Sequence, residues 1–167
     1  MGTGKTTVGR RLARDMGLKF IDLDEEIEQG AAARISAIFR EHGEVHFRTL
    51  EGEAVTRLVS GVYGGDVVAA TGGGAVVSDS NRAALRSWGV VVRLAASADE
   101  IRNRVGGGAA RPLLSDGKTQ EDMEKLLASR EDAYRDCDLS VDTTGRSVAE
   151  VVADIKEFLR KKAARTS

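Results

Sequence analysis

Cysteine and proline each occur once in this chain of 167 residues, as Cys137 and Pro112. A single cysteine excludes a disulfide framework within the chain and fits a reducing compartment. With no histidine close to it in sequence, Cys137 reads as an incidental thiol. No apolar run reaches membrane-spanning length and no basic-then-apolar leader is visible, so the expected location is the cytoplasm, with no membrane partner. Neither sign of charge dominates: the formal net charge is −1. That near-balance gives no bulk attraction to nucleic acid or to an anionic surface, and any anion must be held by local clusters. Repeats and a second domain are also lacking. The length fits one domain with one core over residues 1–167, burying roughly 70% of the unfolded chain's surface, and the pattern demands nothing beyond a monomer.

Half of one motif is missing as well. Gly2-Thr3-Gly4-Lys5-Thr6-Thr7 matches the end of a phosphate-binding loop, G-x-x-x-x-G-K-S/T, whose first glycine would lie two residues before Met1. Glycines let backbone N–H groups curl around phosphates, Lys5 offsets their charge, and Thr6 offers a hydroxyl to magnesium. The apolar strand that feeds such a loop is absent from the sequence. Its absence is expected to leave unpaired edges on two neighbouring strands and to uncover the apolar face of the first helix. About ten further residues before Met1 are the corresponding expectation, on the usual length of a strand.

Strands and helices alternate along the rest of the chain. That pattern predicts an α/β fold of three layers, helix–sheet–helix, with a parallel doubly wound sheet of the phosphate-loop kinase type. Lys5 to about Met16 reads as a helix, Lys19 to Asp22 as a short strand, and Ile35 to Glu41 and Glu44 to Val59 as two helical stretches. Asp66 to Thr71 and Val90 to Leu94 are valine-rich runs of the kind that form buried parallel strands. Helix starts with capping-box spacing follow at Ser97/Glu100, Thr119/Asp122 and Ser147/Glu150. The last helix places Val151, Val152 and Ile155 on one face, and Arg160 to Arg165 are expected to fray as a solvated basic tail. Trp88, before Gly89, is expected to pack in the core or between helix and sheet.

Several residue groups suggest chemistry. Asp22 and Asp24, two apart at a strand's end, share one face at strand periodicity and would lie at the carboxyl edge where open α/β sheets bind ligands. One carboxylate there supports magnesium and the other takes a proton from an attacking hydroxyl. The competing reading makes Asp24, Glu25 and Glu26 the first turn of a helix. Val67 to Thr71 runs into Gly72-Gly73-Gly74, three glycines that admit a ligand close to the backbone and offer N–H donors. Many phosphate-loop proteins end this strand with a metal-holding aspartate. Thr71 stands there instead, which leaves Asp22 as the candidate. The stretch 106–117, with four glycines, Pro112 and Arg111, reads equally as a mobile lid or as an ordinary loop. His42 and His46 have no second pair to complete a zinc site and read as polar helix-face residues.

Taken together the motifs resemble the shikimate kinases. Beyond the phosphate loop, the chain carries Asp22-x-Asp24-x-x-Ile27-Glu28, Gly43-Glu44-x-x-Phe47-Arg48-x-x-Glu51, Gly72-Gly73-Gly74-Ala75, Arg111-Pro112-Leu113-Leu114 and Tyr134-Arg135, in that order. The resemblance runs from Met1 to about Leu159 and implies ATP- and Mg2+-dependent phosphorylation of the 3-hydroxyl of shikimate, on the route to chorismate and the aromatic amino acids. It implies Arg48 and Arg135 as a clamp on the acid's carboxylate, the planar guanidinium suiting two parallel charged bonds. Asp24 holds ring hydroxyls, and Gly72 to Gly74 contact the acid, Gly73 through its backbone. Thr6 and Asp22 support magnesium, Lys5 and Arg111 the transferred phosphoryl, and Arg104 and Arg146 the adenine. Two other readings stay open: a related gluconate or nucleoside monophosphate kinase, and a catalytically weakened nucleotide-binding module that keeps the fold.

Overall fold

In the computed structural model of the chain, residues 2–105, 125 and 128–166 are described. Helix α1 (Lys5–Met16) leads into strand β1 (Lys19–Asp22), then helices α2 (Leu23–Ala31) and α3 (Ile35–Val59). Strand β2 (Val67–Ala70), a 3-10 turn at Ala75–Val77, helix α4 (Asp79–Trp88), strand β3 (Val92–Ala95) and helix α5 (Ala98–Val105) follow. Helix α6 (Glu131–Arg135), strand β4 (Leu139–Asp142) and helix α7 (Val148–Thr166) complete the order.

The expected boundaries of α1 and β1 are reproduced. The two helical stretches expected between them and β2 form one helix interrupted at Gly43, whose φ of 78° and ψ of 175° lie outside helical space. Glycine tolerates that conformation because it has no Cβ. Ser97 and Ser147 cap as their spacing predicts, with Glu100 N–H donating to Ser97 Oγ at 3.2 Å and Glu150 N–H to Ser147 Oγ at 3.3 Å. Thr119/Asp122 and the 106–117 stretch lie outside the described residues.

Three expectations change. Asp24 belongs to the first turn of α2 and not to the strand, because Asp22 ends β1 and accepts the Asp24 N–H at 3.1 Å as the helix N-cap. Helix α7 continues to Thr166 where a frayed tail was expected; its last turns stay helical while exposing their basic side chains. Trp88, the last residue of α4, is 37% exposed where core packing was expected.

The sheet itself is divided. β1 pairs with β2 and β3 with β4, both in parallel, but β2 and β3 are not bonded to each other. Between them lies a cavity of about 450 Å³, lined by Val8 and Leu12 of α1, Val68 and Ala70 of β2, Val92 and Leu94 of β3, and Ile155 of α7. Among the described residues the β2 and β3 edges facing this cavity are unpaired, as expected, but the apolar face of α1 is not uncovered: Val8, Leu12 and Ala13 are buried, because α1 packs on β2 and against α7.

Two apolar clusters form the core, and Val68 of β2 packs against the second. One gathers Ile21, Leu23, Ile27, Phe47, Val55 and Leu58 from β1, α2 and α3; the other gathers Val8, Leu12, Val141, Val151, Val152 and Ile155 from α1, β4 and α7. Leu58 and Val55 are each 1% exposed, and burying such a side chain contributes about 1.5 to 3 kcal/mol. Gly9 lets α1 sit tightly on β1, because a Cβ there would meet the Phe20 ring at 2.6 Å. Among the described residues no helix is long and apolar enough to cross a membrane.

Candidate active site

The phosphate loop sits at the carboxyl ends of both strand pairs. Gly2 and Gly4 adopt φ of 71° and 87°, left-handed conformations that favour glycine and turn the chain into α1. Lys5 is the first residue of that helix, whose N–H groups and dipole favour a bound anion. Thr3 is buried, and its carbonyl accepts from Thr143 Oγ1 at 3.4 Å, just beyond β4. Thr7 is exposed.

On the other flank, Thr6 Oγ1 donates to Asp22 Oδ2 at 2.7 Å. A hydroxyl and a carboxylate this close, at the end of β1, are hard oxygen donors suited to a magnesium ion that keeps most of its water shell. Asp22 and Asp24 therefore diverge: Asp22 faces the phosphate loop, and Asp24 faces the glycines after β2. The strand-face pairing expected of them is not formed, because the chain turns into α2 between them.

Around Gly72 to Gly74 the side chains converge. A Cβ on Gly72 would stand 2.8 Å from Asp24 Oδ1 and 3.1 Å from Glu51 Oε1, and one on Gly74 would collide with the Arg48 guanidinium. Glycine is needed here because three charged side chains occupy the space. Arg48 Nη1 donates to Glu51 Oε2 at 2.9 Å, and Nη2 to Glu44 Oε1 at 2.8 Å. Burial pulls the Arg48 pKa down, but the bonds from both carboxylates outweigh it and the net shift is upward. Glu51 is 3% exposed. Burial pushes its carboxyl above the usual range and neighbouring Asp24 adds to this, while Arg48 opposes it.

Arg135 ends α6, with its side chain 71% exposed and its Nε 3.4 Å from Glu131 Oε1. The preceding Tyr134 donates its hydroxyl to the Gly73 carbonyl at 2.7 Å, which brings α6 against the glycine loop. Arg104 lies on the β4 side, donating from Nη1 to Thr143 Oγ1 at 3.0 Å and from Nη2 to the Thr143 carbonyl at 2.8 Å. Arg146 pairs with Asp154 at 2.9 Å. Arg111 lies outside the described residues. His42 and His46 are exposed neighbours on α3, and no group of three metal-binding side chains occurs among the described residues.

Two residues of this constellation carried no role in the sequence reading. Glu51 had a legible signal: it falls four residues after Phe47 and four before Val55, so it is a carboxylate on the buried stripe of a helix, where a charge needs a partner. Thr143, 3% exposed and bonded to Ala95, Thr3 and Arg104, had none, since a threonine after a strand is unremarkable in sequence.

Comparison with known proteins gives one consistent result. A family model described as "Shikimate kinase" matches residues 1–160. The shikimate kinase of Geobacter sulfurreducens is 48% identical over 161 residues, covering 96% of this chain and 87% of that protein. The Moorella thermoacetica shikimate kinase is 41% identical over 160 residues, covering 96% and 90%. Among solved structures, Acinetobacter baumannii shikimate kinase in complex with shikimate superimposes with a TM-score of 0.89 at 34% identity, covering 97% of this chain and 89% of that one. The Aquifex aeolicus enzyme gives 0.81 at 29% identity, covering 98% and 94%. The divided parallel sheet with its flanking helices is thus a phosphate-loop kinase fold, and the chain belongs to the shikimate kinase family.

Proposed function

We propose that this chain transfers the γ-phosphoryl group of ATP to the 3-hydroxyl of shikimate, giving shikimate 3-phosphate and ADP. The observation that carries the reading is the convergence of Arg48, Glu51 and Asp24 on the side-chain-free floor of Gly72 to Gly74. A small polyhydroxy acid needs a guanidinium for its carboxylate, an acceptor for its hydroxyls and bare backbone beneath its ring. This pocket offers all three.

The residue roles in this proposal are those the family resemblance implies. Arg48 and Arg135 bind the carboxylate; Asp24 orients the ring hydroxyls and takes the proton as the hydroxyl oxygen attacks the γ-phosphorus and the bond to the bridging oxygen breaks. Gly73 donates its N–H to the acid. The loop from Gly2 to Thr7 cradles the nucleotide phosphates, with Lys5 on the group in transfer. Thr6 and Asp22 hold Mg2+, which when bound offsets phosphate charge. Arg104 and Arg146 flank the adenine. Arg111, on the glycine-rich stretch 106–117, supplies a further cation to the transferring phosphoryl.

A coupled assay of ADP release with shikimate, gluconate or AMP as acceptor tests the proposal. ADP release that requires shikimate is expected. Release driven by gluconate or AMP, or hydrolysis indifferent to any acceptor, would replace this reading with one of the related kinases or with a non-catalytic module.

A further inference from the structure

The three glycines of the acceptor floor are more constrained than their composition suggests. Their carbonyls are all engaged: Gly72 accepts from Ala75 N–H at 3.2 Å, Gly74 from Val77 N–H at 3.0 Å, and Gly73 from the Tyr134 hydroxyl at 2.7 Å. Two of these ties are local turns. The third crosses 61 residues of sequence to α6. Among the described residues, the Gly73 and Gly74 N–H groups donate to nothing.

A trans peptide is planar, so the carbonyl of Gly73 and the N–H of Gly74 point in opposite directions within one plane. Fixing the carbonyl on Tyr134 therefore fixes the direction of that N–H. Without the tie, a Gly-Gly peptide samples a wide range of orientations, because neither residue restricts φ. The tyrosine is itself held: the Arg93 guanidinium lies 5.7 Å from its ring centroid and makes paired bonds of 2.9 and 2.8 Å to Glu131 on the same helix. Glu131 also pairs with Arg135, so one short helix carries a carboxylate clamp and the tie to the floor.

We infer that Tyr134 is a positioning residue for the acceptor: its hydroxyl locks the Gly73–Gly74 peptide so that the Gly74 N–H is presented to the bound acid, and couples that floor to the helix bearing Arg135. This rests on the acceptor reading above. Tyr134→Phe keeps the ring and removes only the tie. Its KM for shikimate should rise roughly tenfold, the loss of one ordinary hydrogen bond, and direct titration of shikimate should weaken by the same factor. The KM for ATP should stay within about twofold and the melting temperature within about 2 °C, because the bond is not part of the core. A shikimate KM equal to that of the unsubstituted chain overturns the inference, as does an equal rise in both KM values. If the unsubstituted chain does not turn over shikimate at all, the proposed function fails first and this inference with it.

Discussion

The acceptor side and the nucleotide side of this molecule are built to different degrees of closure. Around the acceptor, Arg48, Glu51 and Asp24 meet over one glycine loop, backed by a continuous cluster from β1, α2 and α3. On the nucleotide side, Thr6 reaches toward Asp22 at the end of one strand pair while Thr3 reaches toward Thr143 at the end of the other, with a cavity between the pairs. The phosphate loop thus joins the two strand pairs, and α1 behind it packs on β1, β2 and α7. The glycine floor is pre-organised by bonds among Arg48, Glu44 and Glu51 on α3, with α6 tied to it through Tyr134, whereas the phosphate loop is anchored at the ends of two strand pairs.

The largest expected effect breaks the nucleotide side. Lys5→Ala removes the cation proposed to offset charge on the group in transfer, and kcat should fall by about a hundredfold or more. Single-turnover measurement checks this, and a rate near that of the parent would remove the loop from the chemistry. Next comes the packing contrast. Leu58→Ala, inside the closed cluster, should cost about 2 to 5 kcal/mol, whereas Leu94→Ala, on the wall of the cavity, should cost nearer 1 kcal/mol because its surroundings are already open. Equal losses in urea denaturation would mean that the cavity is filled.

The smallest effect concerns pH on the acceptor side. Burial raises the Glu51 pKa above its ordinary 4.5 in the folded chain. As pH climbs past that value the unfolded chain ionises first, so native stability declines until the folded carboxyl also ionises. Glu51→Gln should lack this slope, and its melting temperature should gain on the parent's from pH 4.5 upward. Parallel curves for the two proteins would show that burial does not govern this carboxyl.

Much of this contrast was legible in sequence, for physical reasons. The phosphate loop, the first helix and the glycine run are written in local rules: glycine where φ must be positive, serine where a helix starts, apolar residues at the helical period. Asp24 was harder, since two carboxylates spaced by two suit a strand edge and a helix N-cap equally, and only the turn after Asp22 decides. Tyr134 and Thr143 escape local rules because their partners lie 61 and 140 residues away. The placement of Arg48 was implied by the family resemblance, but its grip by Glu44 and Glu51 follows from helical spacing of three and four residues.

An acceptor site whose side chains are already bonded to one another and to the glycine floor should work without the nucleotide. Calorimetric titration of shikimate into the chain, with no ATP or magnesium present, tests this most directly. Saturable one-to-one binding is expected, and Arg48→Ala should weaken it by on the order of 2 to 5 kcal/mol, the usual consequence of leaving a buried charge contact unpaired. Binding that appears only after nucleotide is added, or that survives the loss of Arg48, would contradict the account.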